Sequence, residues 1–277
     1  MLALYTEERH GHLVGILNHD LKTLSLMYTA LLTWMLGYPK QAVTISDAKD
    51  AHARRLGHPF DLGWALTAGA IVFDHLNEPD EHRKRVEEAD RVGRENSLSF
   101  ITEVLVPINS GIALIRKGQF AEGMATLKAG QEIWDASGGR VSTPYYKSIL
   151  AEGMAHLGNL EGALHLIDEI IAQVERPGWG ERHYYAETLR IKGWVLSLKG
   201  DVQGAERSYL ASLDLARHQE AKSWELRTAT SYGQLMRDQG RGREAYDLLA
   251  PVYGGFTEGF DTVDLKEAKA LLDELAS

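Results

Sequence analysis

Apolar and small side chains recur at helical spacing through Ala186–Arg217, AETLRIKGWVLSLKGDVQGAERSYLASLDLAR. Leu189, Gly193 and Leu196 fall on one side of a first helix, which the triplet Lys199-Gly200-Asp201 ends. Gly suits the position just past a helix C-terminus, and Asp is a good N-cap for the helix that follows. Ala205, Tyr209, Ser212 and Leu215 then share one face of a second helix. The small residues at Gly193 and Ala205 predict a close crossing of the two backbones, with Leu196 and Tyr209 filling the space around it.

The same pattern repeats along the chain. Turns of the Gly200 kind stand at Gly37-Tyr38-Pro39, Asn77-Glu78-Pro79, Gly118-Gln119-Phe120, Gly158-Asn159-Leu160 and Gly240-Arg241-Gly242. Counting Gly200 among them, successive turns are 40, 41, 40, 42 and 40 residues apart. Each follows a helical run with a small residue at a matching place: Ala30, Ala70, Gly111, Ala151, Gly193 and Gly233. The second helices supply Ala42, Gly123, Ala163, Ala205 and Ala245, but the second repeat has His82 there, which predicts less regular packing. Leu56-Gly57-His58-Pro59, Ser137-Gly138-Gly139 and Arg176-Pro177-Gly178 read as helix exits. No segment alternates like a strand, and no linker interrupts the series. The expected organisation is one continuous domain: a partial helix over 1–20, repeats over 21–254, and a last amphipathic helix over 261–276. That last helix carries Leu265, Ala268, Leu271, Leu272 and Leu275 on one side and has Asp261 or Thr262 to cap it. It would close the open end of the stack.

The small–large order around a Gly-Asp turn resembles a tetratricopeptide repeat (TPR). The resemblance implies an all-α fold: a right-handed α-solenoid of about six TPR-like helix-turn-helix repeats with a C-terminal capping helix. The observed period exceeds the usual TPR length of about 34 residues, so longer helices or longer exit loops are expected. A narrower resemblance lies in AKSWELRTATSYGQLMRDQGRGREAYDLLAPVYGGFTEGFDTVDLKEAKALLDEL, residues 221–275, densest at LRTATSYGQL, LLAPVYGGFTEGFDT and DLKEAKALL. This stretch looks like the end of large bacterial signalling proteins. In those, an adenylate/guanylate cyclase or DNA-binding regulator domain is followed by an ATPase module and then a TPR array. LLTWMLGYPKQA, LGHPFDLGWAL and YYAETLRIKGWVL also look like that group's repeats, so the likeness runs from about His19 onward. It covers the repeat region alone, and the group's catalytic residues have no positions here to be carried onto.

Composition narrows the chemistry. The chain is 44% hydrophobic and 25% charged, ordinary values for a folded protein. Its net charge of −9 argues against general attraction to nucleic-acid phosphates. There is no Cys, which removes disulfides, thiolate nucleophiles and Cys-based metal sites. Glu7, Glu8 and Arg9 stand where a signal peptide needs its apolar core, and no later run is long enough to span a membrane. A cytoplasmic, non-catalytic protein is expected, with no cofactor or metal and with neither nucleic acid nor membrane as partner.

Motifs that could carry chemistry are few. His19-Asp20-Leu21-Lys22-Thr23 resembles the phospho-acceptor box of sensor histidine kinases, but no ATP-binding α/β pattern follows it, and a helix start is the better reading. No phosphate-binding loop and no His-Glu-x-x-His spacing occurs. In TPR arrays the first helices line a concave surface. The matching positions here are Trp64, Asp74 and His75, then Tyr145, Glu152 and His156, then Glu187, Arg190 and Trp194, and finally Arg227, Gln234 and Arg237. In the first and third repeats these positions are apolar: Leu24, Met27, Leu31, Ile108 and Ile112. The expectation is a binding module for a peptide, protein segment or small effector. Arg190, Arg227 and Arg237 would form a positive patch that favours an acidic partner. Two alternatives compete: neighbouring acids neutralise the Arg residues in structural ion pairs, or the chain is a self-associating scaffold, for example a homodimer.

Overall fold

A computed structural model describes residues 4–276, and among them every regular element is helical. Three short turns, Glu7–His10, Gly11–Leu13 and Val14–Leu17, precede the repeats. Six helix pairs follow: α1 (Leu21–Met35) with α2 (Pro39–Leu56), α3 (Pro59–His75) with α4 (Pro79–Glu95), α5 (Val106–Arg116) with α6 (Phe120–Ala136), α7 (Thr143–His156) with α8 (Leu160–Val174), α9 (Tyr185–Leu198) with α10 (Val202–His218), and α11 (Lys222–Asp238) with α12 (Gly242–Gly254). Helix α13 (Val263–Leu275) ends the series, and a π-helical turn, Phe100–Leu105, leads into α5.

The repeat period has a chemical cause. At the fifth turn the backbone N–H of Asp201 donates to the carbonyl of Leu196 at 3.0 Å, five residues back. Glu78 donates likewise to Phe73, Gln119 to Leu114, Asn159 to Met154 and Arg241 to Met236, each at 2.9 Å. This closure needs a left-handed residue just before the donor, a conformation that costs Gly little and Asn less than most residues. Gly200 has φ 83°, and Asn77 fills the place in the second repeat at φ 54°. Asp201 then caps α10 by accepting from the N–H of Gly204 at 2.9 Å, as Asn159 caps α8 through Gly162 at 3.1 Å.

Contacts group the residues into two compact units, Met1–Trp34 with Pro39–Gly139, and Met35–Tyr38 with Arg140–Ser277. In the first, α3 packs on α4 and α4 on α5. The α5 and α6 backbones approach closely at Gly111, where a Cβ would meet the Leu127 N and lie 2.6 Å from the Gly123 carbonyl oxygen. His82 sits in the small-residue position of α4 yet is 1% exposed, and Val86 and Ala89 of the same helix are buried too. Burial pushes the His82 pKa down, keeping the ring neutral.

In the second unit each helix packs on the next from α7 to α12, and α13 lies against both α11 and α12. Leu265, Ala268, Leu271 and Leu272 of α13 are buried in a core shared with Leu226, Tyr232, Ala245 and Leu249. Thr262 occupies the N-cap of α13, but its hydroxyl donates back to the Gly259 carbonyl at 2.7 Å rather than capping the helix. A Cβ at Gly193 would meet the ring of Tyr209 first, so the missing side chain makes room for that ring.

The His19–Thr23 box is a helix start. The Asp20 carboxylate accepts from the backbone N–H groups of Lys22 and Thr23, each at 3.0 Å. It also receives the Tyr5 hydroxyl at 2.7 Å and His52 Nε2 at 2.8 Å. Asp61 accepts from the Asp20 N–H at 2.9 Å and from the Thr23 hydroxyl at 2.8 Å, tying α1 to α3.

Candidate functional site

The residues expected on one binding face divide by unit and by environment. In the second unit the expected positive patch is neutralised. Glu187 is 2% exposed and accepts from Arg190 Nε and Nη2, both at 2.8 Å. Glu152 lies 3.6 Å from Arg190, and Arg227 reaches Glu187 at 3.6 Å and Asp264 at 2.9 Å. Burial by itself disfavours charge on Arg190 and Arg227, but the facing carboxylates overcome it and hold both guanidiniums firmly protonated. Side chains this deep cannot keep a charge without a partner, which is why the acids gather there. Arg237 pairs with Asp238 and Glu274, each at 2.9 Å. These guanidiniums are engaged in ion pairs.

Other expected residues are also packing groups. Tyr145 is 2% exposed and meets Tyr184 edge-on at 5.0 Å between ring centres. His75 is buried and stacks on Trp34 at 4.7 Å. Asp74 is buried and accepts from Arg116 Nε at 2.8 Å and Nη2 at 3.3 Å. Ile108 and Ile112 are fully buried, so the apolar groove expected in the third repeat is core instead. His156 and Gln234 are exposed, and Trp194 is half-buried with its ring 4.9 Å from His156.

Trp64 is the exception, because four further rings join it. His19 precedes α1, and Phe60 and Trp64 lie one turn apart on α3. Phe100 opens the π-helical turn, and Trp134 ends α6. All five are partly exposed. Ring centres are 4.6 Å apart for His19–Trp64, 5.4 Å for His19–Phe60, 5.9 Å for Phe60–Phe100, and 5.9 Å for Trp64–Phe100, whose planes are within 5° of parallel. Trp134 completes the group at 5.7 Å from Phe100 and 6.5 Å from Trp64. Gly139 has no side chain in the space that the Trp134 ring fills. The π turn ends two residues before Pro107, which has no N–H to return to the helix, and such turns are frequent at functional sites.

The polar edges of this cluster are unsatisfied. Among the described residues neither Trp64 Nε1 nor Trp134 Nε1 has a hydrogen-bond partner, and both atoms are buried. His19 Nδ1 is in the same state, 3.9 Å from an Asp61 oxygen. A buried donor left unpaired costs about 1–3 kcal/mol. The second unit shows the alternative: Trp224 Nε1 donates to the His183 carbonyl at 2.9 Å and Trp179 Nε1 to the Glu181 carbonyl at 3.1 Å. Sequence reasoning found only Trp64 of the five. The usable signal was an aromatic in the opening turn of successive first helices, at Phe60, Phe100, Tyr145, Tyr184 and Trp224, recurring at roughly the turn period.

Among the described residues, no group of three His, Asp or Glu side chains is arranged to hold a metal, and no helix is long and apolar enough to cross a membrane. No family model matches the chain. It is similar to an uncharacterized protein of Rhizobium meliloti (strain 1021), at 24% identity over 242 residues. The match covers 84% of this chain and 23% of that relative, so the chain spans about a quarter of the length of the protein it matches.

Proposed function

We propose that the chain is a non-catalytic binding module of TPR type that holds a protein segment on the aromatic face of its first unit. The carrying observation is the His19–Phe60–Trp64–Phe100–Trp134 cluster, five partly exposed rings gathered from four segments. A partly exposed cluster of five aromatic rings is suited to a partner that brings an apolar body. The alignment with part of a much longer relative agrees with a module that regulates an output domain, attached or separate, in bacterial cytoplasmic signalling. A photo-crosslinking residue in place of Phe100, compared with one at exposed Ala125 on α6, tests the reading in cells. Adducts specific to position 100 that vanish in Trp64→Ala support it. Identical adducts from both positions, or none, count against it.

A second reading is self-association. Tyr28 and Leu32, one turn apart on α1, are 43% and 50% exposed, an apolar stripe that a second copy could cover. A mass by light scattering that rises with concentration, and falls for Leu32→Glu, would favour that reading.

A further inference from the structure

We infer that the two loops entering α7 and α9, residues 140–142 and 175–184, present a basic surface of Arg140, Arg176 and Arg182 that docks an acidic segment of a partner protein. This surface belongs to the second unit and stands independently of the aromatic face.

The local chemistry leaves these guanidiniums free. Arg190, Arg217, Arg227, Arg237 and Arg241 of the same unit each hold a carboxylate. Arg140, Arg176 and Arg182 are exposed, and among the described residues none of the three forms an ion pair. The acids nearest to them in the chain are already used inside the loops. Glu181 accepts from the backbone N–H of Ser142 at 2.8 Å, and Glu175 accepts from the Tyr185 hydroxyl. Burial raises the Glu181 pKa, whereas a guanidinium bound to that carboxylate would lower it.

Geometry gathers the three residues. The Ser142–Glu181 hydrogen bond ties one loop to the other. Consecutive Cα atoms are about 3.8 Å apart, so Arg140 leaves the backbone within about 8 Å of Ser142, and Arg182 within about 4 Å of Glu181. A turn in which the Trp179 N–H donates to the Arg176 carbonyl at 3.1 Å brings Arg176 back toward them. The second loop is pinned from within. Trp179 Nε1 donates to the Glu181 carbonyl at 3.1 Å, Gln219 Nε2 to the Arg182 carbonyl at 3.1 Å, and Trp224 Nε1 to the His183 carbonyl at 2.9 Å. A fixed backbone beneath free guanidiniums spares a partner the cost of ordering it.

Charge then selects the occupant. Guanidinium groups take carboxylates bidentately, so an Asp- or Glu-rich segment is complementary. The chain carries −9 overall, so a long nucleic acid is repelled by the rest of the molecule, while a short acidic segment meets the local positive surface. Trp179, half-buried between Arg176 and Arg182 in the chain, adds ring surface for that segment's apolar side chains.

The probe is a twelve-residue poly-Glu peptide titrated into the full chain at about 50 mM salt and read by calorimetry. Gly-Ser and poly-Lys peptides of equal length and a twelve-nucleotide oligo-dT serve as controls. Saturable binding of the acidic peptide alone is expected, weakened at least about tenfold in Arg140→Ala/Arg176→Ala/Arg182→Ala at an unchanged melting temperature. Arg207→Ala, which removes an exposed guanidinium from α10, should leave the affinity as it is. No saturation below about 1 mM, unchanged affinity in the triple variant, or an equal loss in Arg207→Ala overturns the inference. A lowered melting temperature in the triple variant makes the three arginines structural and overturns it as well. Tighter binding of oligo-dT than of poly-Glu replaces it with a nucleic-acid surface. A mass by light scattering that rises with concentration in the wild type, but not in the triple variant, replaces the partner with a second copy of this chain.

Discussion

The ring of Tyr209 occupies the space in which a side chain at Gly193 would have to sit: a Cβ there would lie 2.8 Å from Cδ1 and Cε1 of that ring. Tyr209 is 2% exposed and stacks on Tyr232 at 5.7 Å, so it has little freedom to withdraw. Gly193→Leu should therefore destabilise the second unit by about 1–3 kcal/mol through overpacking. Lys199→Gln removes only an exposed ion pair to Glu161 and should leave the melting temperature unchanged. Equal melting temperatures for the two variants would show that the Gly193–Tyr209 contact is absent in solution.

Asp74 gives a pH signature. Burial alone would raise its carboxyl pKa, but the Arg116 guanidinium outweighs burial and holds it well below the usual carboxylate range. The native state thus binds fewer protons than the unfolded chain. This stabilisation is present above the ordinary Asp value near 4 and is lost as pH falls below it. Asp74→Asn should cost about 3 kcal/mol at pH 7, with the gap to wild type narrowing below about pH 4. Urea unfolding at pH 7 and pH 3 checks this, and an undiminished gap at pH 3 would mean that Asp74 is not the titrating group.

The Arg190–Glu187–Arg227–Asp264 network is structural on this account. Arg190→Ala/Arg227→Ala leaves Glu187 buried without its partners and should lower the melting temperature markedly. Binding at the aromatic cluster should be unaffected. Lost binding at an unchanged melting temperature would restore the Arg patch as a site.

The architecture was legible because one backbone requirement, a left-handed residue closing each turn, leaves a Gly or Asn every 40 residues or so. The site was legible only in part. Glu187, Arg190 and Trp194 do share a helical stripe, but spacing does not say whether a stripe faces solvent or a neighbouring helix. Glu187 turned out buried and Trp194 half-buried. The acids that neutralise Arg227 include Asp264, which arrives from α13 some forty residues away. The aromatic cluster was harder still, because its rings come from four separate segments. Trp134 was invisible to a search confined to first helices, since it ends α6, a second helix. The π turn that carries Phe100 has no simple sequence mark beyond the nearby Pro107.

The central claim, that a segment docks on the aromatic cluster of the first unit, is met most directly by the ¹H–¹⁵N indole resonances of the six tryptophans. In the free protein, the Trp64 and Trp134 protons should resonate upfield of those of Trp179 and Trp224, which already donate to carbonyls. On binding of the segment captured by the crosslink at position 100, the Trp64 and Trp134 signals should move, while Trp179 and Trp224 stay in place. Stationary Trp64 and Trp134 signals, or shifts confined to Trp179 and Trp224, would contradict it.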